Sequence, residues 1–274
     1  MAQSSTIEWT QATWNPVIGC RKVSAGCAHC YAERMAARLA AMAEADAERG
    51  YGGRKKHYLR VINQRGRWNG DVFCDHEALD IPKRWRTGRN VFVNSMSDLF
   101  HDDVDESFIE KVFRTMVDCH QHTFQILTKR PERAADMSSR LPWPENVWMG
   151  TSVENAAVTS RVKHLKRTRA KIKFLSVEPL IGRIRRLPVS GIDWVIVGGE
   201  SGPGARPMEE DWVLEIQERC QAAEVPFFFK QWGGPNKKKT GRLLKGETWD
   251  EMPASAATHR RSDANLWDRK KLVG

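Results

Sequence analysis

The chain is 274 residues long, 41% hydrophobic and 28% charged, with a formal net charge of +10. That length can bury a large core and suits one α/β barrel or one doubly wound sheet, and the balance of apolar and charged residues excludes a disordered chain. Six cysteines are too few for a disulfide-stapled secreted fold, no apolar run reaches the length of a membrane span, and the start MAQSSTIEWT lacks the pattern of a signal peptide, so a cytoplasmic protein with no membrane partner is expected.

The first segment with chemical content is WNPVIGCRKVSAGCAHCYAERM, which places Cys20, Cys27 and Cys30 in a C-x6-C-x2-C spacing. WNPV (14–17) reads as a first strand, and YAERMAARLAAMAEA (31–45) as a long helix starting at the last cysteine. Three thiolates held close together bind a soft metal or an iron–sulfur cluster. Structural zinc normally closes with four ligands, whereas a cluster held by three cysteines leaves one iron open to another ligand. The count points to chemistry rather than to a staple. Zinc completed by His29, His76 or a distant cysteine is the alternative. Cys74, Cys119 and Cys220 are scattered and read as small buried hydrophobes.

Residues 49–70 are polar, with glycines and aromatics, and look like a loop or an insertion. DVFC (71–74) reads as a short strand and HEALDIPKRW (76–85) as a helix interrupted at Pro82. Then a rhythm sets in. Strand-like runs lie at 90–96, 122–130, 146–155, 171–180, 193–202 and 225–233. Segments with helical spacing of apolar positions separate several of them: VDESFIEKVFRTMVDC, AVTSRVKHLKRTR and EEDWVLEIQERC. Strands without polar alternation, joined by helices, predict a parallel sheet covered on both faces. With WNPV and DVFC the strands number up to eight, the count of a (β/α) barrel, irregular or incompletely closed; an open doubly wound sheet is the alternative. The expected organisation is a barrel over residues 1–235 and a peripheral extension, not a separate domain, over 236–274.

Nearly every strand-like run ends in polar or charged residues, as barrel enzymes require at the C-terminal mouth. The candidates are Ser95, Ser97 and Asp98; Lys129 and Arg130; Glu154 and Asn155; Glu178; Gly198, Gly199 and Glu200; and Lys230. Each also reads as an ordinary loop or cap residue. The GGESG stretch (198–202) lets backbone approach a ligand closely, or simply turns the chain, and it lacks the dinucleotide fingerprint. There is no nucleophile elbow, no phosphate loop of the GxxxxGK[ST] type and no HExxH. Basic tracts at 161–173, with seven Lys/Arg and no acid, at 183–186 and at 236–245 favour polyanions, or else are solvated surface.

The cysteines, the helix behind them and the barrel pattern resemble the radical S-adenosylmethionine (SAM) superfamily, although the commoner spacing there is C-x3-C-x2-C. WNPVIGCRKVSAGCAHCYA, VFVNSMSDLF, ILTKRPER, VWMGTSVEN, FLSVEPL, WVIVGGESGPGARPM and FFFKQWG resemble the blocks of a phage-type and bacterial three-cysteine-motif family placed near those enzymes, from about residue 7 to 253. There is a more distant likeness to spore photoproduct lyase. The resemblance implies a [4Fe-4S] cluster on Cys20, Cys27 and Cys30, with SAM on its open iron. It also implies reductive cleavage of SAM to a 5′-deoxyadenosyl radical and an electron donor such as flavodoxin or ferredoxin. On that reading Ser95, Ser97, Asp98, Glu154, Asn155, Gly198, Gly199 and Glu200 are candidates to bind SAM. Lys129 and Glu178 are candidates to act on a nucleic-acid, nucleotide or other phosphorylated substrate. A non-catalytic, zinc-stabilised nucleic-acid-binding protein is the alternative.

Overall fold

The apolar runs that lack polar alternation become the strands of one parallel sheet. The computed structural model describes residue 5, residues 7–51 and residues 53–254. In chain order the elements are β1 (Ala12–Trp14), β2 (Val17–Ile18), α1 (Tyr31–Glu48), β3 (Phe73–Cys74), β4 (Asn90–Val93) and α2 (Glu106–Asp118). There follow β5 (Thr123–Thr128), α3 (Pro131–Met137), β6 (Val147–Ser152), α4 (Arg161–Lys166) and β7 (Lys173–Val177). The last are β8 (Trp194–Gly198), α5 (Glu210–Ala222), β9 (Phe227–Gln231) and α6 (Lys237–Thr240). Seven strands form the sheet in the order β1-β4-β5-β6-β7-β8-β9, every pair parallel.

Alternate residues on these strands face two apolar layers. Val91, Val93, Ile126, Met149, Leu175, Val197 and Phe229 point to the helices, in one core with Phe108, Ile109, Val112, Val162, Leu165, Val213 and Ile216. Phe92, Trp148, Phe174, Trp194 and Phe228 point the other way and close around Trp9. Their arrangement shows the curl. In a flat sheet β4 and β8, four spacings apart, would be separated by about 19 Å. Yet the Trp9 ring lies 4.8 Å from Phe92 of β4 and 6.1 Å from Trp194 of β8. The sheet therefore bends into an open half-barrel with an aromatic floor, and β1 and β9 remain its two edges.

Three expectations change. The eight expected strands become seven in the sheet, because DVFC (β3) lies outside it and pairs antiparallel with β2 as a separate ribbon. WNPV is not one strand: β1 ends at Trp14, and Pro16, which has no N–H for a ladder, separates it from β2. The 76–85 segment forms two short 3-10 turns, His76–Asp80 and Pro82–Arg84, rather than a helix. The polar 49–70 stretch is partly ordered as a 3-10 helix, Arg54–Arg60, whose Tyr58 joins Val61 in packing on Ala32, Ala36 and Ala40 of α1. α3 has no counterpart among the predicted helices; Pro131 opens it and Ala134, Ala135 and Met137 are buried along it.

Residues 241–251 run along β9. Phe228 bridges Asp250 antiparallel, the Phe229 amide donates to Trp249 O at 2.9 Å, and Leu244 is fully buried. This strap covers a sheet edge that would otherwise present open backbone groups. Residues 255–274 of the expected extension lie outside the described residues. Among the described residues no helix is long and apolar enough to cross a membrane.

Because Trp9 fills the curl, Trp9→Ala is expected to destabilise the fold by about 3–5 kcal/mol. A shift in urea midpoint checks this; an unchanged midpoint would mean that the curl does not depend on this ring.

Candidate functional site

From Ile18 the chain crosses the C-terminal edge of the sheet before α1 begins. Cys20 follows Gly19, whose backbone bridges Ser97 beyond β4; Cys27 closes a 3-10 turn, Ala25–Cys27; Cys30 stands directly before α1. All three are half-buried and none is in a disulfide. They lie within electrostatic reach of one another. Burial first, then the Asp98 carboxylate, pushes the Cys20 thiol up to about 12, with Cys30 and Cys27 adding to the effect and Arg130 opposing it. Burial also opposes the charge on Lys129, but Glu154, Cys27 and Cys30 outweigh it and raise its pKa. The thiols thus have cations beside them, Arg130 at Cys20 and Lys129 at Cys27 and Cys30.

Residues beyond the strand ends hold this loop in place. After β4 the Ser97 hydroxyl donates to Val17 O at 2.7 Å, and the Tyr31 hydroxyl donates to Ser95 O. After β5, Arg130 joins Asp98 at 3.2 Å and donates to Arg21 O at 3.3 Å. After β6, Glu154 accepts from Ser24 Oγ at 2.8 Å and from Arg161 at 2.8 Å, with the Lys129 ammonium 3.6 Å away. After β8, Glu200 accepts from Arg206 Nε at 2.9 Å and from its amide at 3.0 Å, and is bonded to His29 Nδ1 at 3.0 Å. Arg206 also donates to Ala25 O at 3.0 Å. On α1, buried Glu33 accepts from Lys22 Nζ at 2.9 Å, from Arg67 at 2.9 Å and from the Trp68 amide at 3.1 Å. Gly26 fits because any Cβ there would collide with the Glu154 side chain.

The predicted site residues divide accordingly. Asp98 is engaged by the Thr128 hydroxyl at 2.6 Å, the Phe100 and Lys129 amides at 3.0 Å each, and Arg130, so it ties the ends of β4 and β5 together. Ser95 and Ser97 are engaged with Asn15 and Val17. Asn155 caps the turn Ala156–Val158. Gly199 packs against the Trp232 backbone, where a Cβ has no room. Glu154 and Glu200 anchor the cysteine loop. Lys129 reaches from β5 to Ser152 Oγ of β6 at 3.1 Å. Glu178, after β7, accepts from Lys230 of β9 at 2.6 Å, beside Gly198, and lies near enough to Tyr31 for their charges to interact. Lys129, Glu178 and Lys230 therefore share the mouth with the cysteines.

The sequence reading missed Ser24, Arg161, Arg206 and Glu33 as positioning residues. Glu33 carried a signal: it falls within the buried α1 stripe Ala32, Ala36, Ala40, Ala43, where a carboxylate requires partners. Arg161 was hidden in the basic tract, of which Arg161, Arg167 and Lys171 pair with carboxylates.

The loop offers three free thiols as donors. Three thiols on one zinc, each about 2.3 Å from it, must crowd together. Among the described residues no three His, Cys, Asp or Glu side chains surround a single metal-ion position. His29 is engaged by Glu200, and His76 packs edge-on against Phe108. A cluster spreads its thiolates over separate irons.

The chain belongs to the family described as "Protein of unknown function (DUF5131)", which matches residues 4–253. The matched span contains the cysteine loop, all seven sheet strands and the strap over β9. No curated protein and no solved structure matches the chain.

Burial works against the Glu200 carboxylate, but Arg206 and His29 outweigh it and hold its pKa down to about 2. Its stabilising contribution is complete above the ordinary carboxylate range and is lost as pH falls through about 2. Glu200→Gln should destabilise the protein by about 2 kcal/mol at neutral pH. The gap to wild type should narrow as pH is lowered from about 4 towards 2. Urea midpoints across that range check this, and a gap independent of pH would contradict it.

Proposed function

We propose that the protein is a radical SAM enzyme acting at the mouth of the half-barrel on a nucleic-acid or nucleotide-related substrate. The observation that carries this reading is the placement of three free thiols at the C-terminal edge of a parallel (β/α) sheet, on a loop held by residues beyond several strands. Cys20, Cys27 and Cys30 would hold a [4Fe-4S] cluster. When bound, that cluster supplies the electron that splits SAM into methionine and a 5′-deoxyadenosyl radical able to take hydrogen from an unactivated carbon.

The chain's own part is to orient and to shield. The aromatic floor of Phe92, Trp148, Phe174 and Trp194 seals the half-barrel behind the mouth and keeps water from that side. Arg130 and Lys129 balance thiolate charge. Lys129, Glu178 and Lys230, on the ends of β5, β7 and β9, are the charged groups that face a substrate entering there. Gly198 lies beside Glu178 and Lys230. The net charge of +10 favours a phosphate-bearing substrate. A one-electron donor of flavodoxin or ferredoxin type completes the reaction, which suits a reducing cytoplasm.

Anaerobically purified protein should be brown and carry about four irons and about four sulfides per chain. With dithionite and SAM it should release 5′-deoxyadenosine, and Ala at Cys20, Cys27 or Cys30 should remove iron and activity together. Iron-loaded, reduced protein that binds SAM yet releases no 5′-deoxyadenosine would refute the reading. One zinc and no iron would instead support a zinc-stabilised nucleic-acid-binding protein.

A further inference from the structure

On the outer flank of the cysteine loop lies a cleft of about 470 Å³, lined among others by His29, Cys30, Arg34, Arg65, Arg67 and Pro203. It is assembled from the cysteine loop, the first turns of α1, the 65–67 turn and the loop after β8. Among the described residues no carboxylate lines it. Arg34 gives its donors to two backbone carbonyls, Ser201 O at 2.7 Å and Pro203 O at 3.3 Å, so its charge is not cancelled. Arg67 meets Glu33, but Glu33 is already shared with Lys22. The Arg65 side chain has no partner among the described residues.

Three guanidinium groups around one concavity, with no acid among its lining residues, form an anion site. Guanidinium forks match phosphate oxygens in pairs, and their summed charge suits a phosphate better than a singly charged carboxylate. The volume falls within the roughly 300–1,000 Å³ of small-molecule sites, enough for a nucleotide unit. The basic tract at 161–173 is the competing surface. There Arg161, Arg167 and Lys171 are matched by Glu154, Asp136 and Glu145, and Lys163, Lys166 and Arg169 meet no carboxylate among the described residues but do not converge on this cleft, whereas Arg34 and Arg65 do.

We propose that this cleft is a phosphate seat for a nucleotide-bearing ligand, placed directly beside Cys30. Taking that ligand to be the substrate of the cysteine site rests on the function proposed above; the phosphate seat itself does not. The seat would hold the ligand by its backbone on the flank of the loop and leave its sugar or base to reach the mouth.

Calorimetric titration of the full-length, anaerobically purified protein tests this, with a 5′-mononucleotide and a short single-stranded oligonucleotide as probes at several salt concentrations. Arg65→Ala lies on an exposed turn and should fold normally. It should weaken binding about tenfold. For the oligonucleotide it should also flatten the dependence of log K on log salt by about 0.7, the loss of one phosphate contact. Lys163→Ala, in the competing tract, should leave both quantities unchanged. Binding of both probes through Arg65 identifies a free nucleotide as sufficient; binding of the oligonucleotide alone identifies nucleic acid. Either supports the seat. It is overturned if neither probe binds, if Arg65→Ala binds with wild-type affinity and salt slope, if Lys163→Ala is the variant that weakens, or if SAM displaces the probe. Protein that holds zinc and releases no 5′-deoxyadenosine, yet binds the oligonucleotide through Arg65, would retain the seat and refute the radical reading, so the two fail separately.

Discussion

A carboxylate removed from water must find a cation, and at the mouth of this half-barrel the cations so recruited hold the cysteine loop. Glu200 is almost fully buried and draws in Arg206; the same guanidinium reaches Ala25 O inside the loop. Asp98 is buried and draws in Arg130, which reaches Arg21 O next to Cys20. Glu154 takes Arg161 and Lys129 and then the Ser24 hydroxyl, two residues before Gly26. Removing one partner of such a pair leaves an uncompensated charge, far more costly than the pair itself is stabilising. The arrangement thus fixes loop geometry more than it adds stability.

That constraint links fold to chemistry. The loop has only short 3-10 structure of its own and one backbone bridge to the sheet, Gly19 to Ser97. Its three thiols owe their common placement to residues that follow β4, β5, β6 and β8. Those strand ends meet around one loop because the sheet is curled, and the curl is filled by Trp9 against Phe92, Phe174 and Trp194. A flatter sheet would spread Asp98 and Glu200 too far apart to grip the same dozen residues. Aromatic packing at one end of the strands therefore sets polar geometry at the other.

The roles divide between charges that hold and charges that face outward. Asp98, Glu154 and Glu200 have their oxygens engaged by the scaffold. Lys129, Glu178 and Lys230 are paired more simply, at the mouth. The arginines of the flanking cleft lie beyond both sets, on the solvent side of Cys30. The thiols, the mouth and the arginine cleft adjoin one another, with Cys30 belonging to both the loop and the cleft lining.

The sequence by itself determined the parallel α/β class, because strands such as DWVIVGG and KIKFLSV are apolar on both faces and only helices on one side with a packed interior on the other can bury them. It also determined the helix after Cys30 and the grouping of three thiols without a fourth. It did not determine that WNPV would break at Pro16, that β3 would lie outside the sheet and pair with β2, or that the strand ends would turn their carboxylates to loop anchors. Those outcomes depend on which residues meet across about 30 to 180 positions of chain, such as Ser24 with Glu154 or Arg206 with Ala25. Periodicity records which face of an element is buried and is silent on its distant partner. Tertiary packing alone decided which charges were cancelled and which, at Arg34 and Arg65, were left without a carboxylate.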